Sequence, residues 1–108
     1  MGPRVTVAWS SAALDDVDEI AAYIGRDSVH YSSAVVRSLG NAAREAGLFP
    51  RSGRVVPELA DETFREKFVY SYRLIYHVEA ERVLVVTVIH GERRLVSDSV
   101  LRRVSPTK

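Results

Sequence analysis

Apolar residues along this chain fall into two rhythms, and the change of rhythm divides it. Val5-Thr6-Val7-Ala8-Trp9 is a short β-branched and aromatic run that predicts a strand. Leu14, Val17, Ile20, Ala21 and Ile24 then recur at spacings of three and four, which gives a helix one apolar stripe. Ser10 or Ser11 stands where a hydroxyl can accept from a free first-turn N–H. Asp15, Asp16, Asp18 and Glu19 lie in the early turns, where the helix dipole favours negative charge. Gly25 and Arg26-Asp27-Ser28 end this helix and start a second, expected from about Val29 to Leu48. Its inner face is Ala34 or Val35, Leu39, Ala42, Ala43 and Ala46, residues small enough to let two helices close as a hairpin. Gly40 weakens its continuity, because an interior glycine costs about 1 kcal/mol against alanine.

Pro50, Gly53 and Pro57 punctuate a loop that runs to Asp61. Beyond it the period becomes two. Thr63 to Val69 is one strand. Tyr72 to Val78 sets Leu74, Tyr76 and Val78 against Arg73, Ile75 and His77. Val83 to His90 is almost continuously apolar, as a buried central strand should be. A last short helix is expected around Ser99 to Val104. The order β-α-α-β-β-β predicts an α+β fold, with a helical hairpin packed on one face of an antiparallel sheet. A single domain over 1–108 accounts for the sequence, with a core at about 5–95 and a tail at 96–108.

Composition narrows the class. Of 108 residues, 46% are hydrophobic and 27% charged, which suits a folded domain and not a disordered one. A domain this small buries only about two-thirds of its unfolded surface, so a tight partner would add much of its stability. The absence of cysteine removes disulfides, thiolate catalysis and Cys-based zinc sites. No stretch approaches the roughly 18 apolar residues of a membrane span. Val5–Trp9 is too short for the core of a secretory leader. The expectation is a protein of the reducing cytoplasm, with no membrane partner. Net charge is only +1, so general affinity for nucleic acid is not expected. The charge is uneven, however: the first helix is acidic, and Arg93, Arg94, Arg102, Arg103 and Lys108 make the end basic.

Several stretches, in order, give the chain a family likeness. They are Trp9-Ser10-x-x-Ala13, Tyr23-Ile24, Leu48-Phe49-Pro50-x-x-Gly53-Arg54-x-x-Pro57-Glu58-Leu59, Phe64-Arg65-Glu66, Tyr72-Arg73-Leu74-Ile75-Tyr76 and Val88-Ile89-His90-Gly91-Glu92-Arg93-Arg94-Leu95. Across about Val5 to Leu95 the chain resembles the ParE/RelE toxin superfamily. The resemblance implies a cytoplasmic toxin held in check by a cognate antitoxin protein. It also implies one of two actions. RelE-like and YoeB-like members cut mRNA on the ribosome, whereas ParE-like members inhibit DNA gyrase without cutting. Fold alone does not choose between them. Any contact with operator DNA would run through the antitoxin.

A metal-free RNase of this type needs a base for the 2′-hydroxyl, a cation for the phosphate and an acid for the leaving oxygen. By resemblance Glu58, Arg73 and His90 would be those catalytic residues. Each has a structural alternative. Glu58 can be a loop carboxylate paired with Arg54 or Arg65. Arg73 can be an ion pair with Glu66 or Glu58. His90 can be a hydrogen-bonded strand end. Arg65, Lys67, Arg73, Arg93 and Arg94 are candidates for contact with an antitoxin, gyrase or RNA, or form an ordinary solvated face. Arg65 and Lys67 should share one face of their strand. His30, His77 and His90 are not at zinc-ligand spacings, so neither metal nor cofactor is expected. Leu95 and Val96 occupy the place where many mRNA-cutting relatives carry a tyrosine. Lys67 and Lys108 are the only lysines, and low positive charge is a poor match to a polyanionic target. These departures favour the ParE-like branch.

Overall fold

The computed structural model describes residues 5–95 and Val100. Along them lie β1 (Thr6–Trp9), α1 (Ser11–Gly25), α2 (Val29–Leu48), a 3-10 turn at Pro50–Ser52, β2 (Arg54–Val55), β3 (Phe64–Val69), β4 (Tyr72–Val78) and β5 (Arg82–His90). The helix expected around Ser99 to Val104 lies outside the described residues, Val100 apart. α2 runs through Gly40 unbroken, because its apolar face is held by Val35, Leu39, Ala43 and Ala46.

Both helices begin on a serine. Ser10 Oγ accepts from the Ala13 N–H and Ser28 Oγ from the Tyr31 N–H, each at 3.0 Å. Of the two serines that could open α1, Ser10 is the cap. Its hydroxyl also donates to the Val86 carbonyl at 3.0 Å. The β4–β5 register shifts between Ile75 and Tyr76, so Val86 is the extra residue of a β-bulge. The cap thus ties the start of α1 to an irregular point in the sheet.

The sheet order is β1-β5-β4-β3-β2. β3, β4 and β5 form the expected antiparallel meander. The sheet as a whole is mixed, because β1 joins β5 in parallel, Trp9 opposite Val85. β2 adds a two-residue antiparallel rim to β3 inside the segment read as loop.

Both sheet faces are covered. On one, Ala13, Ile24, Val35, Leu39, Ala43 and Ala46 of the helices pack on Leu74, Tyr76, Val83, Val85 and Val88. On the other, Val56, Phe64, Ile75, Leu84, Val86, Leu95 and Val100 form a smaller core. Each fully buried Leu, Ile or Val is worth about 1.5–3 kcal/mol. α2 approaches β1 closely, and a Cβ on Gly47 would run into the Val7 side chain. Among the described residues no helix is long and apolar enough to cross a membrane.

Candidate functional site

Alternation along β4 sends Leu74 and Tyr76 toward the helices and Ile75 toward the opposite core. Arg73 shares the Ile75 face and is only 4% exposed. Its Nη1 and Nη2 donate to Glu58 Oε2 and Oε1, both at 2.8 Å, a bidentate pair. Its Nε donates to Glu66 Oε1 at 2.8 Å, and Nη1 also reaches the Arg93 carbonyl at 3.3 Å. The second oxygen of Glu66 is held by Arg54. Glu58 Oε2 accepts the Leu95 N–H at 3.2 Å. The four side chains form a continuous chain, Arg54–Glu66–Arg73–Glu58, pinned at one end to the segment after β5.

Charge follows geometry here. The hydrogen bond from Arg73 lowers the Glu58 carboxyl from 4.5 to about 2; burial opposes this, and the Leu95 N–H assists it. Glu58 in turn, followed by Glu66, stabilises the Arg73 cation against the cost of burial. The partner of Glu58 is thus Arg73, not Arg54 or Arg65. Arg73 pairs with both carboxylates that the sequence offered it.

His90 stands apart. It faces Tyr72 across the β4–β5 ladder, with the rings edge to face at 5.7 Å. Tyr72 packs on the helix-side core, so His90 lies on the sheet face opposite Arg73. It is exposed, and its Nδ1 accepts the Glu92 N–H at 3.2 Å. The structure therefore brings Glu58 and Arg73 together and leaves His90 out.

Arg65 and Lys67 do share one face, as period two requires, but neither is a free cation. Arg65 donates to the carbonyls of Glu62 at 2.8 Å, Gly53 at 3.1 Å and Arg51 at 3.3 Å. Lys67 pairs with Glu45 of α2 at 2.9 Å. Arg93 and Arg94 are exposed. Arg94 lines a shallow cleft with Arg54, Pro57, Glu58, Phe68, Arg73 and Gly91. Phe68, which sequence reasoning missed, is 58% exposed there, with the Arg54 guanidinium 5.2 Å from its ring centre. Its only sequence signal is an aromatic two residues past Glu66, continuing the Phe64 face to the strand end.

The strand alternation marks Tyr76 only as an inward residue, yet it shapes the loop that carries Glu58. Its hydroxyl donates to the Pro50 carbonyl at 2.8 Å and accepts the Gly53 N–H at 3.0 Å. A Cβ on Gly53 would sit 2.5 Å from that hydroxyl and 2.7 Å from the Glu66 carbonyl oxygen. The spacing Pro50-x-x-Gly53 is the visible trace of this arrangement. Among the described residues no cluster of His, Asp and Glu could hold a metal ion.

A helical hairpin on one face of a five-stranded mixed sheet is the fold of the ParE/RelE toxins. Solved structures agree. The chromosomal ParDE toxin–antitoxin system of P. aeruginosa superposes with a TM-score of 0.68 at 13% identity, covering 82% of this chain and 98% of that one. A doubly substituted E. coli toxin RelE in the free state gives 0.68 at 20% identity, covering 94% and 99%. The toxin–antitoxin complex RelBE2 of Mycobacterium tuberculosis gives 0.54 at 21% identity, covering 81% and 98%. Residues 7–95 match the family described as the ParE toxin of the type II toxin–antitoxin system parDE, and the chain belongs to that family. A candidate toxin of Sinorhizobium fredii, Y4kP, is 31% identical over 97 residues, 84% of this chain and 93% of the relative.

Proposed function

We propose that this toxin acts in the cytoplasm by binding DNA gyrase, without cleaving RNA, and that a cognate antitoxin neutralises it. One observation carries the non-nucleolytic reading. Arg73, the residue that would grip a phosphate, is buried and spends its donors on Glu58, Glu66 and the Arg93 carbonyl. Glu58, at about 2, is a weak base, and its oxygens are already engaged. His90 lies on the other face and cannot complete a shared site with them. The exposed Arg93 and Arg94 remain suited to acidic surfaces of a protein partner.

The antitoxin is read as a polypeptide whose disordered segment folds onto the toxin, with its own DNA-binding part elsewhere. Similarity to toxin–antitoxin complexes supports that partner. Purified toxin is expected to inhibit gyrase supercoiling in vitro and to leave ribosome-bound transcripts intact. Absence of inhibition at micromolar excess would overturn the gyrase reading. Ribosome-dependent transcript cleavage would instead install the mRNA endonuclease reading, with a site that does not join His90 to Glu58 and Arg73.

A further inference from the structure

The outer edge of β5 is covered by β1 only in part. β1 ends with Trp9 opposite Val85, and β5 runs on to His90. The Gly91 N–H donates to the Ser71 carbonyl at 2.7 Å, so Thr87, Ile89 and Gly91 turn their backbone groups to the β4 side. Val88 and His90 therefore turn theirs outward. One group of each is taken. The Val88 N–H donates to Asp16 Oδ2 at 3.0 Å, and the His90 carbonyl accepts the Arg93 N–H at 3.0 Å. The Val88 carbonyl and the His90 N–H have no hydrogen-bond partner among the described residues. Val88 is 2% exposed, and a buried carbonyl without a donor is costly.

Val88 and His90 line a cavity of about 470 Å³ between α1 and the end of β5. A strand of another chain has no run of pairs to make there. Asp16 closes the edge on one side and the Arg93 turn closes it on the other. One acceptor and one donor remain, two residues apart. They match a planar group that carries a donor and an acceptor side by side, as a nucleobase does on its pairing edge. The walls suit the faces of such a ring: Ile20 and Tyr23 from α1, Tyr72 from β4, and Leu95 and Val100. Charge selects the form of the ligand. Arg93 and Arg94 share the lining with Asp16 and Glu19, so cations and anions balance. That balance favours a neutral nucleoside over a polyphosphate or a nucleic-acid strand. Glu19 supplies a carboxylate that can accept from a sugar hydroxyl.

We infer that the α1–β5 cavity binds a nucleoside, its base edge held by the Val88 carbonyl and the His90 N–H and its ring packed against Ile20 and Tyr23. The inference is independent of the target on which the toxin acts.

The test is a titration of isotope-labelled full-length toxin with adenosine, followed through its backbone amide resonances. Adenosine is expected to bind at millimolar concentration or below and to move the His90 amide signal downfield as that N–H gains an acceptor. The dimethylamino analogue of adenosine keeps the ring and the sugar but lacks the donor for the Val88 carbonyl. It should bind about tenfold more weakly or worse. Tyr23 is 68% exposed, so Tyr23→Ala should leave the fold intact; it is expected to weaken adenosine about tenfold. Affinity should hold between low and physiological salt, as a neutral ligand requires. If neither adenosine nor cytidine, guanosine or uridine shifts the His90 amide at millimolar concentration, the proposal is overturned. Equal binding of adenosine and its dimethylamino analogue, or wild-type affinity in Tyr23→Ala, also overturns it. Binding confined to a single-stranded oligonucleotide and lost with salt gives the cavity to nucleic acid, and the nucleoside assignment falls.

Discussion

Glu58 holds its charge because of one neighbour, and that makes its contribution to stability depend on pH. Its carboxyl is about 2 in the folded chain against an ordinary 4.5. A depressed folded value stabilises the native state above the ordinary value and loses that effect as pH falls toward the folded one. The full difference amounts to about 3 kcal/mol. Thermal unfolding of wild type should therefore fall more steeply between pH 4.5 and 2 than that of Glu58→Gln. Parallel curves in that window would remove the Arg73 pair as the cause. Arg73→Ala is a harsher change. It leaves Glu66, whose side chain is fully buried, with Arg54 alone. Breaking a buried pair on one side costs about 3–5 kcal/mol, a large part of the roughly 5–15 available to a small domain. The single variant should show a sharply lowered urea midpoint, and a Glu66→Met/Arg73→Met double variant should recover part of it. An unchanged midpoint for Arg73→Ala would contradict the buried network. The sequence named both members of the Glu58–Arg73 pair as candidates. It could not show that each consumes the other, because they stand 15 positions apart with a loop of unpredictable path between them.

The two helices and the four longer strands were legible almost to the residue, and β2 was not, for a reason that lies in the range of the forces. A helix is specified by caps and a stripe within its own span, so Ser28, Val29 and Leu48 mark α2 from the chain alone. A strand gains its bonds from a partner elsewhere. β2, with two residues, carries no period at all and exists only because Glu66 and Arg65 pass beside it. The Val86 bulge is equally silent in sequence. Ser10 joins the two regimes, capping α1 locally and bonding the bulge across the fold. Loss of a serine cap costs about 1 kcal/mol. Ser28 does nothing but cap α2 among its side-chain hydrogen bonds, whereas Ser10 also satisfies the Val86 carbonyl. Ser10→Ala is thus expected to lower the melting temperature more than Ser28→Ala. Equal shifts would mean that the bulge contact contributes nothing.

At the scale of the whole molecule, the unread feature was that the sheet has two covered faces. The amphipathic helices announced one layer through local periodicity. The parallel docking of β1 on β5, Trp9 beside Val85, has no local signature, and neither has the second core. That core draws on widely separated residues: Val56 from the loop, Ile75 from β4, Val86 from β5, and Leu95 and Val100 from beyond it. The sequence pattern sets Val100 in a tail beyond the core, yet it is 1% exposed and packs within this cluster. A β5 strand that is apolar for most of its length, sequence Val83 to Ile89, requires cover on both sides. If Val100 supplies part of that cover, a carboxylate there must be buried without a partner or must open the second face. Val100→Asp should then lower stability by about 2 kcal/mol or more and raise binding of a hydrophobic dye under native conditions. Val29→Asp, at a position 73% exposed on α2, should change stability by less than about 0.5 kcal/mol. The comparison is informative because both variants replace the same side chain, one at a buried and one at an exposed position. Matching unfolding curves for the two would show that the sheet's second face is closed without Val100.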